Sequence, residues 1–105
     1  MAWVQLLIAA AFEIAWALGL KFSGGFTRFW PSVFTILAMV VSLVFLALAV
    51  RTIPIGTGYA VWTGIGAVGT AILGMIFFAE PPTAWRISCL LLIIGGVIGL
   101  KFAGE

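Results

Sequence analysis

Four apolar runs, each close to the roughly 20 residues needed to cross a bilayer core as a helix, fill almost the whole of this 105-residue sequence. They cover approximately residues 2–20, 29–50, 56–79 and 84–103. Short polar turns separate them. The first contains Lys21, Ser23, Gly24, Gly25 and Arg28, the second Arg51, Thr52 and Pro54, and the third Glu80-Pro81-Pro82. Only helices and closed barrels satisfy every backbone hydrogen bond in lipid, and runs this long with turns this tight do not read as barrel strands. The expected fold is therefore all-α, an integral membrane protein of four transmembrane helices in one domain spanning residues 1–105. Composition agrees: 65% of residues are hydrophobic and only 8% charged, with a mean hydropathy of +1.34. A soluble domain this short has too little interior to hide that much apolar surface.

The same sequence excludes several kinds of chemistry. A formal charge of +2 is too small to suggest a nucleic-acid partner. Cys89 is the single cysteine, so no intrachain disulfide forms, and the absence of histidine removes the usual zinc ligands; no metal site and no cofactor are expected. Gly64, Gly66 and Gly69 match the spacing of a dinucleotide-binding loop, but that loop works where a strand turns into a helix, and here it lies inside an apolar span. No phosphate-binding GxxxxGK[ST] loop is present, which argues against ATP hydrolysis. The first run is not read as a signal peptide, because it lacks a basic flank and contains an acid.

Connections this short force neighbouring helices to run antiparallel, which places both termini on one side. Arg51 and Lys101 flank that side, and Lys21, Arg28 and Arg86 flank the other. Such an even balance gives no firm orientation under the positive-inside rule. Two oppositely inserted copies would form an antiparallel homodimer, an inverted-repeat transporter built from separate chains.

Glu13 lies in the middle of the first span with no basic residue near it in sequence. An uncompensated carboxylate there costs at least about 2.5 kcal/mol on insertion scales, so acids in such positions are functional by default. Protonation, a cationic ligand or a water-filled cavity relieves the cost; the alternative is a structural carboxyl that hydrogen-bonds across helices. Ala9, Ala10, Trp16 and Ala17 share its helical face. On the third span Tyr59, Trp62, Thr63, Gly66 and Thr70 fall on one stripe, as do Thr35, Ala38 and Ser42 on the second. One acid with hydroxyls and indole rings around it suits a small organic cation. Each neighbour also has a bland reading: Tyr59 as an interfacial anchor like Trp3, Trp30 and Trp85, Ser42 and Thr63 bonded back to their own helices. Gly95 and Gly99 form a G-x-x-x-G pair on the fourth span, a candidate dimer contact, and four helices are too few to enclose a pathway alone.

From end to end the chain resembles the small multidrug resistance family of bacterial inner-membrane antiporters. The resemblance is carried by Glu13, by Lys-Phe-Ser-Gly-Gly-Phe-Thr-Arg at 21–28, by Pro31-Ser32, by the run from Pro54-Ile-Gly to Tyr59-Ala-Val-Trp62, and by the glycine-rich fourth span. Phe12-Glu13-Ile14-Ala15-Trp16-Ala17 and Trp62-Thr63-Gly64-Ile65-Gly66-Ala67 are similar to the guanidinium exporter subgroup; multidrug members generally have a small residue where Trp16 stands. Gly58 departs from the pattern, standing where alanine is usual.

The resemblance implies a multi-pass inner-membrane secondary transporter and not an enzyme. It implies an antiparallel homodimer that exchanges protons for guanidinium ion, with Glu13 shared between both ligands and Trp16, Ser42, Tyr59 and Trp62 around it. Thr63 joins this set from the third-span stripe. Two rival expectations differ in class: a broad exporter of quaternary ammonium and aromatic cations, and a non-transporting membrane subunit in which Glu13 pairs with a basic residue of a partner helix.

Overall fold

A computed structural model describes residues 1–103 and contains four helices: α1 (Ala2–Phe22), α2 (Phe29–Ala49), α3 (Ile55–Phe77) and α4 (Ala84–Ala103). Each is long and apolar enough to cross a membrane, and no strand occurs among the described residues. The protein is an all-α, four-span membrane protein.

Local chemistry sets the helix ends. Ser23 stops α1: its backbone N–H donates to the Gly19 carbonyl at 2.8 Å, and its hydroxyl donates to Leu20 O and accepts from Phe26 N. Gly24 and Gly25 follow at φ of +60° and +69°, a backbone region where only glycine is free of strain, so the chain reverses within six residues of α1. Pro31 sits in the first turn of α2, where a helix needs no N–H donor, and its carbonyl accepts the Thr35 hydroxyl at 2.7 Å. At the end of α3, Phe78 N–H caps Gly74 O at 2.9 Å, Ala79 turns to a φ of +54°, and Pro81-Pro82 prevents continuation. The Thr83 hydroxyl then accepts from Arg86 N, capping α4.

The helices form a flattened layer, 41 × 34 × 16 Å, and not a closed bundle. Helix α1 lies between α2 and α3, and α4 packs mainly against α3. The interior consists of Leu6, Ala9, Ala10, Leu46, Ala49, Ile53, Val61 and Trp62. Small residues recur at these contacts because lipid offers no hydrophobic drive between helices, and close backbone approach supplies the attraction instead. No residue of α4 is buried, and long stretches of every helix expose Phe, Leu, Ile and Val as a lipid-facing surface requires.

Candidate functional site

Glu13 projects from α1 against the bare backbone of α3 at Gly66. A methyl group added to Gly66 would collide with the Glu13 carboxylate, so the acid occupies the volume that a side chain would otherwise fill. The position works because Gly66 is buried in the α1–α3 contact. The carboxylate faces a cavity of about 430 Å³ between the two helices. Glu13, Ala17, Thr63, Gly66 and Thr70 line its inner part, and Lys21, Gly74, Phe78, Glu80 and Arg86 its mouth. Glu13 Oε1 is enclosed and has no hydrogen-bond partner among the described residues, and the same holds for Thr70 Oγ1. A buried acceptor and a buried hydroxyl left unpaired in one cavity are costly unless a polar ligand or water completes them.

Sequence reasoning and structure meet unevenly at the other residues. Thr63 lines the cavity, but its hydroxyl donates back to Tyr59 O at 2.9 Å and Ala60 O at 3.2 Å. Ser42 instead reaches across to α1, donating to Ala9 O at 2.6 Å, and it accepts from Trp62 Nε1 at 3.0 Å. Ala9 stands one helical turn before Glu13, so this buried pair clamps the turn from which the carboxylate projects. Replacing Ser42 with Ala would leave the Trp62 N–H buried and unpaired. The expected loss is about 1–3 kcal/mol, read as a lowered unfolding midpoint of the purified protein in detergent.

Tyr59 is 55% exposed, with its ring 5.6 Å from that of Trp62 between centroids. Trp16 is partly buried, and its Nε1 has no partner among the described residues. The structure therefore brings Glu13 and Thr63 to one cavity, leaves Trp16 and the bonded pair Ser42 and Trp62 outside its lining, and leaves Tyr59 exposed against Trp62. Gly95 and Gly99 lie exposed on α4 with open space beside them.

The mouth was not legible as part of the site. Glu80 reads in sequence as a helix stop and Arg86 as a flanking charge, yet Arg86 Nη2 bonds Glu80 Oε1 at 3.0 Å on the cavity wall. Lys21 completes the mouth, its ammonium 5.5 Å from the centre of the Phe78 ring. The available signal was the Gly66–Thr70–Gly74 stripe, which runs from Glu13 to Glu80.

A four-span layer with an acid of its first helix enclosed at a cavity between two helices defines the class as a small polytopic membrane protein. The family model described as Small Multidrug Resistance protein matches residues 1–93. Among similar proteins, the guanidinium exporter of Citrobacter freundii is 53% identical over 103 residues, covering 98% of each chain. The guanidinium exporters of Yersinia pseudotuberculosis and Proteus vulgaris are 54% and 52% identical over 103 residues, covering 98% of this chain and 99% of theirs. The chain belongs to the small multidrug resistance family, and it is a multi-pass protein of the bacterial inner membrane.

Proposed function

We propose that this chain exports guanidinium and small substituted guanidinium cations in exchange for protons, working as an antiparallel homodimer with Glu13 as the group both ligands share. The observation that carries the reading is the enclosed Oε1 of Glu13 in a cavity also lined by the Thr70 hydroxyl, neither with a hydrogen-bond partner among the described residues. Planar guanidinium donates two parallel N–H bonds to a carboxylate and keeps further donors for a neighbour such as Thr70. A quaternary ammonium ion has no donor to offer either group and relies on ring faces alone. The names of the similar exporters support the same substrate class.

Ser42 and Trp62 hold the helical turn before the carboxylate, Thr63 lines the cavity from α3, and Tyr59 packs against Trp62. Trp16, one turn after Glu13, has an indole N–H with no partner among the described residues. Dimerisation supplies what one chain lacks. The layer is open, and α4 presents Gly95 and Gly99 on a face that the chain leaves bare, the kind of surface that small-residue helix pairing uses. Coupling follows from exclusion, since a carboxylate that has taken a proton no longer attracts the cation.

The test is exchange by the purified chain in liposomes, with guanidinium and tetramethylammonium compared across a pH series. Guanidinium is expected to move against a proton gradient, and tetramethylammonium to move poorly. Where one proton competes for the site, apparent guanidinium affinity falls about tenfold per pH unit on the acid side of the carboxylate's titration. An affinity independent of pH would sink the shared-site mechanism.

A further inference from the structure

Two carboxylates of this chain are seated in the same way on one face of α3. A side chain at Gly66 would strike the Glu13 carboxylate, and one at Gly74 would meet Glu80, whose Oε1 lies 2.6 Å from the position an added Cβ would take. Thr70 stands between them, one turn from each glycine, with a buried hydroxyl that has no partner among the described residues. All of these residues line one continuous cavity. Its outer acid is already holding a guanidinium: the Arg86 side chain bonds Glu80 Oε1 through Nη2 at 3.0 Å, and its Nη1 donates to Pro81 O at 3.4 Å.

We propose that Glu80 is an outer cation subsite of the Glu13 cavity, at which the Arg86 guanidinium is a tethered stand-in that an incoming guanidinium-type cation displaces. The inference rests on the function proposed above and adds to it a second binding residue and a built-in competitor. Three features support it. The pair is solvent-accessible, each side chain 36% exposed, so exchange of one guanidinium for another involves little desolvation. Arg86 engages a single carboxylate oxygen, whereas a free guanidinium can use both in a fork. Lys21 lines the same mouth, so without Glu80 the described entrance carries two cations and no acid, a field that repels the substrate.

The experiment measures guanidinium exchange by full-length protein in liposomes for wild type, Glu80→Gln, Arg86→Gln and the double variant. Glu80→Gln is expected to raise KM roughly two- to fivefold, the range of an accessible ion pair, and to change the maximal rate less. Arg86→Gln is expected to lower KM by a similar factor, and in the double variant that gain disappears. If both single variants raise KM alike, the pair is merely structural and the proposal is wrong; it is equally wrong if neither moves KM.

A second measurement separates the subsite from the transport reading. Guanidinium chloride is titrated into 15N-labelled Glu13→Gln protein, at millimolar concentration and with ionic strength held by sodium chloride. The Glu80 amide and Arg86 Nε–H signals are expected to move, and to stay still in Glu13→Gln/Glu80→Gln. Still signals in Glu13→Gln overturn the subsite even if wild-type transport is intact. Wild-type protein that moves no guanidinium overturns the function reading, while shifted signals at Glu80 continue to support the subsite.

Discussion

Glu13→Gln protein reconstituted in liposomes is expected to carry guanidinium no faster than protein-free membranes, whatever the proton gradient. The substitution keeps the size of the side chain and removes both its charge and its ability to take up a proton. Hydrogen bonds to a charged group contribute about 1.5–3 kcal/mol, against about 0.5–1.5 for neutral pairs. Losing the charge on a forked pair therefore weakens guanidinium binding at least roughly tenfold. Proton exchange is lost altogether, because an amide does not titrate in this range. Two assays check the result: direct guanidinium binding in detergent, and guanidinium-driven proton release. The folded protein survives the change, since the enclosed Oε1 has no hydrogen bond among the described residues for the substitution to break. Variant protein that still couples guanidinium movement to a pH gradient would falsify the mechanism.

Gly66→Ala is expected to match that loss without touching an ionisable group. The added methyl occupies the space of the Glu13 carboxylate, so either the acid leaves its seat or α1 and α3 separate. Overpacking at a buried contact costs about 1–3 kcal/mol in addition. Guanidinium affinity should fall at least roughly tenfold, the range set by losing a charge-assisted pair. Gly64→Ala is the control. It also adds a methyl to a buried glycine of α3, but there the methyl meets the side chains of Val97 and Ile93 on α4. Affinity is expected to hold in Gly64→Ala while stability drops modestly. If the two variants lose affinity equally, α3 packing in general, and not the seat of Glu13, governs binding.

Particular residues mark how far the sequence could be read. The four spans were legible because lipid admits few architectures, and length with hydropathy nearly decides among them. Glu13 was legible because a lone acid in such a span is costly. Helical spacing also placed Gly66 and Thr70 on one stripe of α3. Spacing could not say which helix that stripe faces. Ser42 and Thr63 illustrate the limit: both are hydroxyls within apolar helices, each able to bond its own backbone. Thr63 does so, while Ser42 crosses to Ala9. The difference lies in the rotation of α2 against α1, which no single helix encodes.

What the sequence determined by itself is the number of helices, their alternation across the bilayer and the presence of one acid that lipid penalises. Tertiary structure decided where that acid points and what shares its cavity. Glu13 rests on Gly66 because that glycine leaves room for its carboxylate between α1 and α3, and Glu80 reaches the same space because the chain leaving α3 folds back onto Gly74. Hydropathy acts on each segment separately, so it can be read along the chain. The cavity depends on how two helices rotate and close upon each other, a property of the packed pair.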